Sequence, residues 1–372
     1  MPMHDDLNQE TEEFSHVYLL EKDIPDCVAL AQNNFEAFQH SPEQVDLWFK
    51  QRITNNPWQK SLPALGVGIR HKNKLIAFRA MFAQPWWIDG TKTIIAFGAN
   101  TAVDSTYRDK GLATQMIGDS KKFAAISGST TAGHIFQKSC KKLGFIEIGG
   151  TNNNFFRLRA SFQGSAQKRL GKTLGGILGK AFDLRIIFSE LKNKPKADFF
   201  LTDVTRCGEE FDLFWEKSKW GYASCLERSR EYLNWRLFDF ATCPLHLTSL
   251  RDLPGELRGY GIWHITKFSE DITMVVVRDI FYPINDEVAV RALLYLLIEK
   301  WRKTNISWIS LEVASPPLTA LFCSLGYEAV PSRGNRYQIF NESNIDSKIL
   351  ANWYRSGLDG DYFDLQITNE PV

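Results

Sequence analysis

A tandem repeat limits the possible folds of this chain more tightly than its composition does. Leu75-Ile76-Ala77-Phe78-Arg79-Ala80-Met81-Phe82 is matched 182 positions later by Leu257-Arg258-Gly259-Tyr260-Gly261-Ile262-Trp263-His264. The same offset carries Asp104 to Asp286, and Phe136, Leu143, Gly144 and Phe145 to Leu318, Leu325, Gly326 and Tyr327. Trp48 and Pro57 map onto Trp235 and Pro244 at an offset of 187, a difference one loop can absorb. The chain therefore reads as two copies of one unit, residues 14–160 and 197–340. A linker, 161–196, joins them and a tail, 341–372, follows. With 372 residues, 44% of them hydrophobic, each copy can bury a core of its own.

Within each copy the periodicities alternate between two and 3.6 residues. In the first, His16 to Leu20 reads as a strand, and Pro25 to Phe38 and Pro42 to Arg52 as helices with proline near their starts. Leu65 to His71 and Lys74 to Ala83 form a hairpin turning at Lys72-Asn73, and Thr91 to Val103 is a long strand. Helices at Gly111 to Lys122 and Ala132 to Leu143 alternate with strands at Phe123 to Ser129, Phe145 to Ile148 and Asn154 to Arg159. In the second copy the clearest helices run from Asp286 to Lys303 and along Leu318, Leu321, Phe322 and Leu325. Hairpins followed by alternating strand and helix imply an α/β fold, with a mixed sheet carrying helices on both faces in each copy.

Composition excludes several classes. A formal net charge of +1 argues against a chain that coats nucleic acid, so no nucleic-acid partner is expected. Cys27, Cys140, Cys207, Cys225, Cys243 and Cys323 contain no C-x-x-C pair, which reads as reduced thiols rather than a disulfide frame or metal site. Residues 1–13 are polar and acidic, unlike a secretory signal, and no apolar run is long enough to span a membrane. The expectation is a cytoplasmic protein without a metal. The linker is strongly basic: Lys168, Arg169, Lys172, Lys180, Arg185, Lys192, Lys194 and Lys196 face only Asp183 and Glu190. Leu170, Leu174, Ile177, Leu178 and Phe182 recur there at helical spacing. Two readings stand: a solvated linker helix, or a basic amphipathic helix making weak contact with an anionic membrane surface.

The stretch Val103-Asp104-Ser105-Thr106-Tyr107-Arg108-Asp109-Lys110-Gly111-Leu112-Ala113-Thr114 follows a strand and opens a helix. A helix start offers unpaired backbone N–H groups and the positive end of a dipole to a phosphate. Gly111 permits close approach, Ala113 is small, Thr114 offers a hydroxyl, and Arg108 and Lys110 add charge. A strand-to-helix turn that needs glycine beside surface cations is the plainer reading of the same residues. Neither a Walker loop nor a G-x-G-x-x-G fingerprint is present.

Arg108-x-x-Gly111-x-Ala113 resembles the R/Q-x-x-G-x-G/A signature of the GNAT acyltransferases. Val103-Asp104-x-x-Tyr107-Arg108 looks like the end of that family's fourth strand, Lys142-Leu143-Gly144-Phe145 like its K-x-G-F ending, and the order of elements is similar. The resemblance implies tandem GNAT-like units, each a mixed, splayed sheet, with acyl-CoA, acetyl-CoA by default, as co-substrate. It places the pyrophosphate on Arg108, Asp109, Lys110, Gly111, Leu112, Ala113 and Thr114. The pantetheine arm falls along Ala99 to Val103, including Thr101 and Ala102. In the second copy Arg108, Gly111 and Ala113 become Val290, Leu293 and Tyr295, which implies one acyl-CoA site, in the first copy. Asn56-Pro57, Glu231-Tyr232-Leu233-Asn234-Trp235-Arg236 and Asn352-Trp353-Tyr354 make the whole chain resemble tandem GNAT proteins that modify bacterial polysaccharides and sugars. The implied activity is N-acyl transfer to an amine acceptor such as an amino sugar or sugar nucleotide. The alternatives are an aminoacyl transferase resembling the Fem ligases, which use aminoacyl-tRNA, and a non-catalytic CoA-binding scaffold.

The family often places an acidic Tyr where this chain has Cys140. Cys140 is a candidate acid for the departing thiolate, a candidate nucleophile, or a core residue on the stripe shared with Phe136 and Leu143. His134, at the start of the same helix, is a candidate base or a cap. Asp104 reads as a helix cap. Trp86 and Trp87 could stack on a sugar face, Arg236 could hold an anionic acceptor group, and Asp359 and Asp361 could pair with an ammonium; packing, ion-pair and solvated readings compete for each. Oligomeric state is left open.

Overall fold

The computed structural model describes residues 14–35, 42–130, 134–148, 154–191, 194–195, 197–239, 245–269, 272–304, 306–331, 337–341 and 345–359. Two sheets dominate. In the first, β1 (Phe14–Leu19), β2 (Gly66–His71), β3 (Lys74–Ile88), β4 (Thr91–Val103) and β5 (Ile126–Ser129) lie side by side, followed by β16 (Tyr337–Asn341) and β6 (Ile146–Ile148). β9 (Ser224–Leu226) adds to the far end of β3. In the second the order is β15 (Glu328–Pro331), β7 (Asn154–Arg159), β13 (Ile306–Leu311), β12 (Ile272–Phe281), β11 (Leu257–Ser269), β10 (His246–Asp252) and β8 (Phe199–Val204).

The hairpins form where turn chemistry allows them. Lys72 and Asn73 have φ of 48° and 67°, and Asp89 and Gly90 have φ of 48° and 76°. Two successive left-handed residues match the twist of the flanking strands, so β2–β3 and β3–β4 close as tight antiparallel pairs. β4 and β5 run parallel, with α3 (Leu112–Ser120) crossing between them. In the second half β12 and β13 repeat this relation, with the helix Glu287–Arg302 as the crossover. Helices pack on the sheets through buried faces, Met116 and Ile117 on α3 and Leu293, Leu294, Leu297 and Trp301 on the longer helix.

Two strands leave the halves to which the sequence assigned them. β7, read as the closing strand of the first unit, pairs with β13 and β15 of the second sheet. β16, from the second unit, inserts between β5 and β6 of the first. The pairing thus departs at these strands from a division at 14–160 and 197–340. Each strand carries a pattern that fits either sheet, and an edge accepts any strand of suitable length and pattern. The basic linker folds as two helices, Gln163–Leu170 and Lys172–Leu191.

Candidate functional site

β4 is the strand that positions the site. Its ladder to β5 covers only Ile95 to Phe97, paired with Ile126 to Gly128. From Gly98 onward β4 pairs with β3 alone among the described residues, so the β4–β5 ladder ends and a gap is left along Gly98 to Val103. The β3–β4 register slips between Phe78 and Ala80, which face Ala102 and Ala99, so Asn100 and Thr101 together oppose Arg79. Asn100 sits at this bulge with φ of 47°. Its side-chain amide nitrogen is buried and has no hydrogen-bond partner among the described residues.

The chain then bends sharply. Asp104 caps the short turn Ser105–Tyr107 by accepting from the Thr106 amide at 3.1 Å, and the Thr106 amide and hydroxyl, with Lys74 behind them, hold its carboxyl below the usual range. It is therefore a cap. Asp109 and Gly111 follow with φ of 67° and 76°. Gly111 is the N-cap of α3, and the first intrahelical bond is Gln115 N–H to the Gly111 carbonyl at 3.2 Å. The amides of Leu112, Ala113 and Thr114 precede that bond and are not needed by the helix. A Cβ on Gly111 would meet no atom within 4 Å, so the bend opens onto free space. Arg108 is exposed and donates to Asn34 Oδ1 at 3.0 Å. Lys110 is exposed, its ammonium 5.4 Å from the Phe14 ring centre and 5.5 Å from that of Tyr107. The Thr114 hydroxyl is not directed at this space alone; it shares a 2.9 Å hydrogen bond with Ser139 Oγ.

Arg79 was missed from the sequence. It is 1% exposed, and its guanidinium lies at the apex of the β4–β5 gap. It donates to Thr101 Oγ1 at 2.8 Å on one side and to the Gly128 carbonyl at 3.4 Å on the other, with the Phe136 ring at 4.8 Å. The absence of a side chain at Gly98 makes this possible, since a Cβ there would fall 2.0 Å from an Arg79 nitrogen. An arginine inside an otherwise apolar strand, Leu75 to Phe82, was the available signal.

The other candidates are dispersed. Cys140 is fully buried with Ile117 and Phe145. Burial pushes its thiol up to about 11, against a smaller lowering by Arg79. It would be an uphill donor to a thiolate and is not ionised near neutrality, so its surroundings favour packing over acid or nucleophile. His134 opens the helix His134–Lys142, and its side chain lies outside the described residues. Trp86 is fully buried against Trp353, ring centres 5.1 Å apart, and Trp87 packs edge-on to Trp220 at 4.8 Å under the Lys219 ammonium. With exposures of 0% and 7%, little of either indole is open to a stacking sugar. Both border a pocket of about 170 Å³ that also touches Trp215, Lys92, Lys219 and Glu227. Arg236 is 8% exposed within the helix Arg230–Leu237. Asp359 is fully buried and accepts from the Ser356 amide at 2.8 Å and its hydroxyl at 3.0 Å, so it is a structural carboxylate rather than a solvent-facing acceptor contact. Asp361 lies outside the described residues. Cys27, Cys140, Cys207, Cys225 and Cys323 are free thiols. No cluster of metal-ligating side chains occurs among the described residues, and none of their helices is long and apolar enough to cross a membrane.

The loop has no equivalent among the described residues of the second half. Asp286 caps by accepting from the Ala289 amide at 3.0 Å, as Asp104 does for Thr106, but the helix it caps runs on unbroken to Arg302. Val290 and Leu293, which align with Arg108 and Gly111, are buried helical residues.

No known family profile matches the chain, and no curated protein matches it by sequence. Solved structures do. A GCN5-related N-acetyltransferase from Anabaena variabilis superposes with a TM-score of 0.60 at 16% identity, covering 88% of this chain and 72% of that one. One from Kribbella flavida gives 0.51 at 15% identity, covering 88% and 71%. The Saccharomyces cerevisiae N-myristoyltransferase with bound myristoyl-CoA gives 0.50 at 12% identity, covering 92% and 84%. The fold is GNAT-like. The splay between β4 and β5 and the bend at Gly111 are therefore features of a chain that shares the architecture of these acyltransferases along most of its length.

Proposed function

We propose that the protein is an acyl-CoA-dependent N-acyltransferase with one acyl-CoA site, in the first unit. The observation that carries this reading is the left-handed bend at Gly111. It presents three spare helix amides to open space at the end of a strand whose outer edge has no partner among the described residues. A diphosphate fits that chemistry, with Arg108 and Lys110 balancing its charge. The unpaired edge from Gly98 to Val103 offers amide and carbonyl groups to the amide-bearing pantetheine arm, much as a strand would. Five residues of strand span about 17 Å, which brings the far end of such an arm to the apex near Arg79.

When bound, the thioester supplies an electrophilic carbonyl and a thiolate leaving group. The bulge at Asn100 turns backbone amides out of the ladder, where one can polarise the carbonyl oxygen. The acceptor amine attacks the carbonyl carbon, the C–S bond breaks, and the ammonium proton passes through solvent to the departing thiolate. Positioning of the two substrates supplies most of the rate, so no strong acid is required at Cys140. Acetyl is the default acyl group, and an amino sugar or sugar nucleotide is the favoured acceptor class. The myristoyl-CoA in the yeast neighbour supports a CoA thioester over an aminoacyl-tRNA as donor. Calorimetric titration with acetyl-CoA, followed by detection of free thiol with a panel of amino sugars, tests the reading. Absence of acetyl-CoA binding would overturn it, and binding without turnover on any amine would leave a CoA-binding scaffold.

A further inference from the structure

The linker helices form an antiparallel hairpin around Gly171, whose φ is 79°. They meet through glycine. A Cβ on Gly175 would fall 2.4 Å from the Ala166 carbonyl oxygen, and one on Gly179 would fall 2.7 Å from the Gln163 Cα. Four residues further on, Asp183 accepts from the Ser161 hydroxyl at 2.7 Å and from the Phe162 amide at 2.6 Å. Gly175, Gly179 and Asp183 lie along one face of the helix Lys172–Leu191, and that face is committed to the first helix of the hairpin.

The amphipathic face is thereby turned outward. Leu174, Ile177, Leu178, Phe182 and Leu184, with Leu170 at the hairpin tip, are 38–65% exposed. These six form the densest group of exposed large apolar side chains in the described structure, the others being scattered over both units. Lys168, Arg169, Lys172 and Lys180 stand beside them, all exposed, and Asp183 is the one acid between 161 and 184. A helix that buries its glycines and exposes its leucines has not been amphipathic for the sake of its own core.

We propose that this hairpin docks the protein on an anionic lipid bilayer, lying in the headgroup plane with Leu174, Ile177, Leu178 and Phe182 inserted and the flanking cations on the lipid phosphates. The helix is not long and apolar enough to cross a membrane, which suits an in-plane seat. Charge selects the occupant. A second copy docked by a two-fold axis would set the cations of one hairpin against those of the other, whereas an anionic surface neutralises them. The proposal stands independently of the acyltransferase reading.

Vesicle co-sedimentation of the full chain tests it, using phosphatidylcholine with and without phosphatidylglycerol. The native protein should pellet with the anionic vesicles and not with the neutral ones, and binding should weaken as salt rises above about 0.1 M. Leu174→Glu combined with Ile177→Glu should reduce binding at least tenfold, as should Arg169→Glu combined with Lys172→Glu. These side chains are solvent-facing, so circular dichroism and melting should be unchanged, which separates lost docking from lost fold. Failure to bind either vesicle would overturn the proposal, as would binding unaffected by Leu174→Glu with Ile177→Glu. A dimer in sedimentation velocity that the same pair of substitutions dissociates, without vesicle binding, would assign the face to a second copy instead.

Discussion

Gly111 and Gly144 form a matched pair that isolates the proposed diphosphate seat. Both have left-handed backbones, φ of 76° and 82°, and neither would bring a Cβ within 4 Å of any atom. Alanine at either position should therefore incur the same backbone penalty, about 1–2 kcal/mol, with no steric clash. Unfolding entropy near 2.1 cal/mol/K per residue gives a chain of this length roughly 0.8 kcal/mol/K, so each substitution should lower Tm by only about 1–3 °C. The ligand should separate them. In the proposed seat, a methyl at 111 would stand between the phosphate and the Leu112, Ala113 and Thr114 amides and keep it from their N–H groups. The loss of even one charge-assisted hydrogen bond, about 1.5–3 kcal/mol, weakens binding by roughly 10- to 100-fold. Gly144 ends the helix His134–Lys142, away from these amides, and its variant should bind acetyl-CoA within about twofold of the native protein. Scanning calorimetry and isothermal titration on the two variants decide the matter. Equal acetyl-CoA affinity for Gly111→Ala and Gly144→Ala would refute the assignment of the bend as the diphosphate seat.

Three other perturbations bear on the site and the fold. Arg79→Met removes the charge at the apex of the gap while keeping a long side chain, so longer acyl chains should become acceptable. With two more methylenes buried at about 0.8 kcal/mol each, the octanoyl-to-acetyl ratio of kcat/KM should rise roughly tenfold, and an unchanged ratio would show that Arg79 does not limit acyl length. Asp279→Asn breaks a fully buried pair with Arg228, whose Nε lies 2.7 Å from Asp279 Oδ2. The cost should be about 3–5 kcal/mol, read as a Tm drop of about 4–6 °C, and a change below 1 °C would show the network to be dispensable. His264 is buried beside Arg278, and both push its imidazole down to about 3, so the fold holds it neutral. The unfolded chain protonates it near pH 6.5; its contribution is complete above that pH and is lost as pH falls from about 6.5 toward 3, by about 1.4 kcal/mol per unit. His264→Gln should flatten urea-derived stability against pH in that window, and an undiminished slope would assign it to carboxylates instead.

The legible parts of the fold were local. The hairpin at Lys72-Asn73 and the strand Thr91–Val103 fall where turn residues and alternation put them, and both appear at the expected positions. Asp104 and Asp286 both cap, as the repeat implies. What the sequence could not carry was nonlocal. Asn154 to Arg159 reads as a strand and is one, but nothing in Asn-Phe-Phe-Arg-Leu-Arg says that its partner is Trp308 to Leu311. Burial was likewise hidden. Asp359 in an acidic tail looks solvent-facing until Ser356 and Arg228 enclose it, and Cys140 looks reactive until Ile117 and Phe145 cover it. Arg79 escaped notice because its neighbours are apolar, and because its partners Thr101 and Gly128 are far from it in sequence.

The two units differ in how the strand edge beside the crossover is satisfied. Splaying parallel strands strands backbone groups, and buried backbone groups must find partners. In the second sheet the chain itself provides them. β17 (Arg355–Ser356) pairs with β14 (Val313–Ala314), and the Gly357 amide donates to the Arg278 carbonyl on the edge of β12 at 2.7 Å. The Tyr354 hydroxyl donates to Asp279 Oδ1 at 2.8 Å, and Arg228 links Asp279 to the Ser356 hydroxyl. The tail therefore closes the gap of the second unit with a strand, an aromatic ring and a buried ion pair, while the residues that align with the bend at Gly111 lie in the continuous helix from Glu287. Among the described residues the first unit has neither device. Its bend is held open by Asp109 and Gly111, and β4 beyond Phe97 gains no strand on its β5 side among the described residues. The second edge is thus closed by the tail while the first is left open among the described residues, which is the physical ground for placing the proposed acyl-CoA site in the first unit; the second unit contributes instead to the exchanged strands and to the packing of the Arg230–Leu237 helix against Trp58.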